Sequence, residues 1–409
     1  MAKILLLGSG RDVYREYLLA SVAADHDVVL VQDGPVTWQR RHLTAAHHVA
    51  PDDPQAILRV ARDESVDGVL TWMESWVESA AAVSTALRLP GHPVLSARAS
   101  RDKHRMRQVW AAAGVPSARS ILVTDEAQAG RAAAEIGYPV VVKPRALAAS
   151  VGVTLARSPA ELRRAYAVAA GAGLDRFENA VPGVLVEEYL DGPEISVESV
   201  VVRGGRVRPV AVTEKRTGLP PGFEELGHLV SGARRAEQLA SVRRVVEAAH
   251  DALGLCEGTT HAELRLTDRG PRLVELAARL GGDLIPRLVG LATGIDLGAA
   301  AAAAALGEDP LLTATRRDSA GIVFRYPDRA GEVARLDPVP VLPGVVEAAW
   351  TAPVGTRVAL PPDGFIGRLG YAIAVAGDDA TCRERLDRAH AALVPVLAGQ
   401  PELAGAGSR

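Results

Sequence analysis

Cysteine is nearly missing from this chain. Cys256 and Cys382 are the two in 409 residues, and their spacing forms neither a metal-binding pair nor a disulfide framework. Such scarcity suits a reducing cytoplasm. Long apolar runs are missing too. The opening MAKILLLGSGRD has too short an apolar stretch before Gly8 for a secretory leader. The alanine run at 299–305 falls far short of the ~20 residues that cross a bilayer, and reads as a buried helix. No dense Lys/Arg tract occurs and the net charge is −3, so nothing predicts a nucleic-acid or membrane partner. Lysine is the most telling shortage. Only Lys3, Lys103, Lys143 and Lys215 occur among 46 basic residues, the rest being arginine. Guanidinium is a planar fork and ammonium a compact point charge, so a chain that uses arginine almost everywhere keeps lysine where compactness counts or by chance, as at Lys3.

What is present is a normal globular balance, 48% hydrophobic and 23% charged, over a length that implies two or three domains. The first third alternates strand and helix. Strands are expected at 4–7, 28–31 and 68–72, with helices at 13–24 and 57–64, the pattern of a parallel α/β sheet. Gly8 and Gly10 follow the first strand, but the full G-x-G-x-x-G is absent, which predicts a Rossmann-like fold without a dinucleotide. A helix over 102–113 stops at Gly114. A small α/β block follows, with strands at 121–123, 138–143 and 153–155 and helices at 126–136 and 160–170. From residue 184 the pattern turns strand-rich: strands at 184–188, 194–202 and 206–213, the last two around Gly204-Gly205. A helix at 240–253 leads to two strands, 261–266 and 272–276, joined by the turn Thr267-Asp268-Arg269-Gly270. Helices are expected at 284–292 and 297–306. The tail from 320 is β-rich, closes with a helix near 381–397, and ends in residues 404–409 expected to be disordered.

Several residues in this layout point to chemistry. Glu263 and Glu275 fall mid-strand on either side of a tight turn, where they can face each other across the ladder. Two facing carboxylates call for a cation between them, and Mg²⁺, which takes one or two carboxylates plus phosphate oxygens, is the natural occupant. A solvated hairpin face with incidental charge is the alternative. Lys143 ends an apolar strand before the small-residue loop ALAASVG, a combination that cradles phosphate; a strand-end lysine beside a plain linker is the other reading. Lys103 begins a helix, where the dipole disfavours a cation, so a negative group nearby is expected unless it is a surface residue. In VLVEEYLDGPE, Tyr189 and Leu190 can pack on a flat ring, Glu187 can accept from an exocyclic amine, and Glu194 from ribose hydroxyls; a hinge strand with exposed acids fits equally.

The order of these pieces resembles the ATP-grasp superfamily, from about Ser100 to Gly282: a lysine, a lysine before a small-residue loop, EEYL-x-G-x-E, then Glu–hairpin–Glu-x-x-x-Arg. Within it, ELAARLGGD, GFEELGH (222–228), WMES around Glu74 and GRLGY (367–371) are similar to carboxylate–amine ligases typified by the bacterial, dipeptide-forming L-amino acid ligases. The resemblance implies a mixed α/β and α+β ATP-grasp fold. It would comprise an N-terminal Rossmann-like domain at 1–112, a small lid at 113–184, and a large antiparallel-sheet domain with a β-rich C-terminal subdomain at 185–409.

By the same resemblance, Lys103 and Lys143 would bind ATP phosphates under the loop around Ser150. Glu187, Tyr189, Leu190 and Glu194 would hold adenosine, and Glu263 and Glu275 would hold one or two Mg²⁺ (or Mn²⁺). Arg279 would face the transferring phosphoryl group, and Glu74, Glu225 and His228 would line the amino-acid pocket. A solvated loop histidine is the alternative for His228. Lys215 could contact a phosphate or carboxylate. Two departures stand out. The superfamily's E-x-N-x-R reads Glu275-Leu-Ala277-Ala-Arg279 here, so Ala277 offers no oxygen, and Ala148 and Ala149 replace glycine in the loop. The activity implied is amide or peptide bond formation from a small-molecule acid and an amine through an acyl phosphate. Other acceptors, or a non-catalytic ATP-binding module, are the alternatives. A homodimer is the default assembly.

Overall fold

A computed structural model describes residues 1–147, 150–172, 182–218, 221–233, 239–360 and 366–398. The expectations for Ala148, Ala149 and residues 404–409 lie outside them.

The first sheet is parallel, in the order β3-β2-β1-β4, from β1 (Lys3–Leu7), β2 (Asp27–Gln32), β3 (Ala45–His48) and β4 (Gly68–Leu70). Its central strands are continuously apolar because both faces are covered. Ile4, Leu6, Val28 and Leu30 pack toward α1 (Asp12–Asp25), while Leu5, Leu7, Val29 and Val31 pack toward α2 (Pro54–Asp63) and α3 (Val77–Leu87). Asp53 starts α2 by accepting from the Ala56 amide at 2.9 Å. The Gly8 turn is packed shut: a Cβ there would meet Trp76 Nε1 at 2.5 Å. Helices α3 and α4 (Val94–Arg101) were not expected; their Ala/Ser-rich sequences carry no capping side chain. Asp102 then caps α5 (Lys103–Ala112).

The small sheet runs β5-β8-β6-β7, antiparallel throughout, from β5 (Ser120–Val123), β6 (Val140–Pro144), β7 (Thr154–Ala156) and β8 (Val184–Glu188). Helices α6 (Glu126–Ile136) and α7 (Pro159–Gly171) close a common core against it. Because β8 belongs to this sheet, the unit runs past the expected boundary at 184.

The large sheet has eight strands in the order β13-β12-β9-β10-β11-β14-β18-β16. They are β9 (Glu194–Val202), β10 (Arg206–Gly218), β11 (Glu224–Ser231), β12 (Gly258–Thr267), β13 (Gly270–Ala277), β14 (Ser319–Arg325), β16 (Val345–Trp350) and β18 (Gly370–Ala376). A separate three-stranded sheet joins β15 (Gly331–Leu336), β17 (Arg357–Val358) and β19 (Pro395–Leu397). Alternation along β9 divides the core. Ile195 and Val197 pack against α5 and α8 (Ala240–Leu253), and Val200 and Val202 against α9 (Ile285–Thr293) and α10 (Leu297–Ala305). That second cluster is continuous with the parallel sheet and α1, and α11 (Asp379–Ala392) covers the far end.

Three expectations need correcting. The stretch holding His228 is strand β11, not the solvated loop of the alternative reading; it pairs with β10 and β14, which bury it. Strand β10 runs on to Gly218. The closing helix ends at Ala392, and residues 395–397 form β19 because they pair with β15.

Candidate active site

A cavity of about 440 Å³ opens where the parallel sheet, the small sheet and the large sheet meet. Lys103, Lys143, Ser150, Glu187, Tyr189, Leu190, Glu194, Glu74, Glu225, Glu263, Glu275 and Arg279 all line it. Of the residues singled out in the sequence, His228 alone lies behind the wall.

Three of the four lysines meet here, each against a carboxylate. Lys143 comes off the end of β6, and its Nζ lies 2.5 Å from Glu187 on β8, because the ladder sets β6 beside β8. Arg107 of α5 approaches the same carboxylate, its Nε 3.0 Å from Oε1, and donates to the Val274 carbonyl at 2.7 Å. Burial alone would raise the Glu187 pKa, but the Arg107 and Lys143 charges outweigh it and hold it down to about 2. Its Oε1 is buried without an aligned hydrogen-bond donor. Tyr189 and Leu190 follow directly, with the Tyr189 ring 6.5 Å from Phe223.

Glu263 and Glu275 are direct partners in the β12–β13 ladder, at the bulge between Glu263 and Leu264. Lys103 Nζ lies 3.1 Å from Glu275 and donates to the Leu147 carbonyl at 2.6 Å, so the acid that offsets a lysine at a helix start is Glu275. Lys215 Nζ reaches Glu263 and Glu225 at 2.5 Å and Glu194 at 3.1 Å. Burial would lower its pKa, but Glu225, Glu263 and Glu194 together raise it well above the ordinary value. Glu194, Glu225 and Glu263 present oxygens close enough to share one cation, and here the Lys215 ammonium lies among them. Behind Glu263, His261 bridges to the buried Glu198, at 3.2 Å and 2.6 Å. Burial would push His261 down, yet Glu198 and Glu263 lift it to about 10, so it is an imidazolium at neutral pH.

At the other end, Arg279 donates through Nε to Glu74 at 2.6 Å and through a terminal nitrogen to the Leu280 carbonyl. Ser150, in a left-handed conformation (φ 55°), donates to the Phe223 carbonyl at 3.1 Å, which ties the loop after β6 to the start of β11. Glu225 sits beside Asp283. Burial, with Asp283 adding to it against Lys215, raises Glu225 to about 8. Asp283 is held well below its ordinary range by Arg368, which outweighs burial. Arg368 grips Asp283 with two nitrogens at 2.5 and 2.6 Å and reaches Glu225 at 3.3 Å. His228 lies 3.1 Å from Asp283 and 3.7 Å from Glu225. Burial lowers its pKa despite Asp283, so it braces these acids as a neutral ring.

Arg15, Arg107, Glu198, His261, Asp283 and Arg368 were not foreseen. His261 lies two residues before Glu263, Asp283 closes ELAARLGGD, and Arg368 is the arginine of GRLGY, so the motifs lay at or beside all three. Arg15 and Arg107 are single members of a very large set, and no local pattern marks them.

Residues 136–287 match the family model for an ATP-grasp domain, and 323–398 that for L-amino acid ligase C-terminal domain 2. An uncharacterized protein of Sinorhizobium fredii is 31% identical over 334 residues, spanning 81% of this chain and 68% of the relative. The phosphoribosylamine–glycine ligase of Streptomyces coelicolor is 29% identical over 421 residues, 96% of this chain and 95% of that one. The crystal structure of an L-amino acid ligase from Bacillus licheniformis has the same fold, with a TM-score of 0.78 at 20% identity over 97% of this chain and 99% of that one. The chain belongs to the ATP-grasp family, whose members use ATP and Mg²⁺, and it carries the C-terminal domain of the L-amino acid ligases.

Proposed function

We propose that this protein joins an amino acid, or a related carboxylic acid, to an amine through an acyl phosphate, releasing ADP and phosphate. The observation that carries this reading is the convergence of Lys103, Lys143, Glu263, Glu275 and Arg279 on one cavity from four separate stretches of chain. Separate surfaces for these residues would have left only a nucleotide-free scaffold.

The cavity residues fit magnesium. Glu263 and Glu275 are hard oxygen donors at facing ladder positions, and each now needs an ammonium to offset it. They would hold one or two ions, with Ala277 adding no ligand atom. Bound there, magnesium supplies charge neutralisation on phosphate oxygens. The remaining chemistry falls to side chains. Lys103 and Lys143 bind the phosphates, and the loop at Ser150 closes over them. Glu187, the chain at Tyr189 and Leu190, and Glu194 hold adenosine. The substrate carboxylate attacks the γ-phosphorus in line while Lys143 and Arg279 stabilise the charge on the transferred group, since positioning and electrostatics account for most of phosphoryl-transfer catalysis. The amine then attacks the acyl carbon, and Arg279 stabilises the oxyanion as phosphate leaves. Glu74 and Glu225 line the amino-acid end, with His228 behind them. Water must be kept out, because the mixed anhydride hydrolyses.

The Streptomyces coelicolor relative motivates a second reading, glycine joined to phosphoribosylamine; the C-terminal match favours amino-acid ligation. The test is phosphate release with MgATP across pairs of amino acids, and with glycine plus phosphoribosylamine, with the amide product identified by mass. A new amide from two amino acids supports the proposal. Phosphate release only with phosphoribosylamine replaces amino-acid pairing by the second reading, and ATP binding without turnover in any mixture overturns the proposal.

A further inference from the structure

The cavity wall carries seven lysine and arginine side chains: Arg15, Lys103, Arg107, Lys143, Lys215, Arg265 and Arg279. Six have a carboxylate within ion-pairing distance. Among the described residues, Arg15 of α1 has none. Its exposure is 8%, and its one hydrogen bond runs from a terminal nitrogen to the Gly281 carbonyl at 3.1 Å. The acids around it are committed elsewhere: Asp283 to Arg368, Glu198 to His261, Glu74 to Arg279. Its stem is fixed against Gly10, where a Cβ would meet Arg15 Cγ at 3.0 Å and Met73 Sδ at 2.9 Å. Arginine cannot shed its proton in a protein, and an uncompensated buried charge is costly. A fixed, buried guanidinium facing a substrate cavity is an anion site awaiting its anion.

We propose that Arg15 binds a carboxylate of the reacting pair other than the one that is activated, the carboxylate of the amine substrate. This rests on the ligase reading. Arg279 is already assigned to the reacting carboxylate, and Glu74, paired with it, cannot receive a second anion. A lone fork with one nitrogen engaged suits a single carboxylate. A phosphate dianion would meet the cavity's acids with too little positive charge free to offset it.

The test is thermal unfolding with MgADP and, in turn, each of the twenty common L-amino acids and its carboxyl amide, for the wild type and for Arg15→Gln and Arg15→Lys. The expected result is stabilisation of the wild type by one or more free amino acids but not by their amides. Arg15→Gln should lose that shift and keep the MgADP shift, which shows the nucleotide half intact. Arg15→Lys should keep part of it. In turnover, Arg15→Gln should raise KM for the acceptor amino acid at least about tenfold, leaving KM for ATP unmoved. Equal binding of acid and amide by the wild type, no shift with any probe, or an unaltered Arg15→Gln overturns the proposal. Loss of binding confined to acidic donors, with amidated acceptors still used, places the carboxylate on the acid substrate and also overturns it. Selective binding with no phosphate release from any pair removes the ligase reading and leaves the anion site standing.

Discussion

Replacing Glu187 by glutamine takes a negative charge from between two buried cations, and its cost can be worked from their geometry. Glu187 lies 2.5 Å from Lys143 and 3.0 Å from Arg107, with both side chains only about 5% exposed. Breaking a buried pair by removing one partner costs roughly 3–5 kcal/mol, because the remaining charge is left uncompensated. A second route agrees. A carboxyl held at about 2 instead of its ordinary 4.5 contributes about 3 kcal/mol above pH ~4.5. The folded-state pKa is depressed, so this stability is present above the unfolded value and lost as pH falls toward 2. Hydrogen exchange of the β6 and β8 amides reads the local opening free energy. Near neutral pH, Glu187→Gln should speed exchange in these strands about 100-fold, with far less change in β14 and β18. Urea midpoints should show the gap between wild type and variant narrowing by about 2 kcal/mol between pH 5 and 3. A triple variant, Glu187→Leu with Lys143→Met and Arg107→Met, should regain much of the stability, since apolar replacement of a whole ion cluster is often neutral, while failing to bind ATP. A cost below about 1 kcal/mol, or a gap constant across that pH range, would refute the reasoning.

Arg279→Ala should cut ADP release at least about 100-fold with the right acid and amine; near-normal turnover removes its assigned role. Glu275→Gln should shift Mg²⁺ dependence of turnover to higher concentration with a much smaller change in thermal midpoint, and an unmoved Mg²⁺ titration counts against the site. Lys143→Arg should also fail, by roughly tenfold or more in turnover, because a fork does not replace a point charge in a closed cradle; full activity contradicts this. His261, raised to about 10 by Glu198 and Glu263 against burial, contributes stability that is fully present below pH ~6.5 and lost as pH rises toward 10. The thermal midpoint should therefore fall across that range in the wild type and less steeply in His261→Asn, and parallel profiles would rule the imidazolium out.

The sequence made the site legible where spacing and polymer geometry act together. Glu263 and Glu275 flank a short turn, so alternation brings them close together, but regular pairing from that turn would set Glu263 against Val274, and a bulge between Glu263 and Leu264 makes Glu275 its partner. Lys143 and Lys103 stood out because the chain uses lysine so sparingly. The strand-rich middle was readable from its alternation, but β11 was not, since GFEELGHLVS has a glycine and adjacent acids at its start and only its two neighbouring strands make it regular. Helices α3 and α4 escaped because alanine and serine fit many structures, and tertiary packing under Ala97 and Ala99 decides the outcome. Arg15 and Arg368 show the limit. Gly281, the hydrogen-bond partner of Arg15, is 266 residues distant, and Arg368 meets Asp283 across 85; neither contact has any local correlate.

Eight acidic side chains line one cavity, a density that would repel itself if left alone. The fold answers with internal cations. Lys103 offsets Glu275, and Lys215 offsets Glu263 together with Glu194 and Glu225. Nucleotide binding under the proposed mechanism is then an exchange of partners. Lys103 would turn from Glu275 to a phosphate, leaving Glu275 free to hold a cation. No carboxylate need be unpaired before or after, so the folding penalty of gathering these acids is small. Arginine would serve this exchange poorly, because a bidentate fork holds its carboxylate by two bonds at fixed angles, whereas an ammonium can swing between oxygens at little cost. Arg368 and Arg265 fix the acids they hold, while Lys103 and Lys215 occupy the positions where that mechanism has partners change.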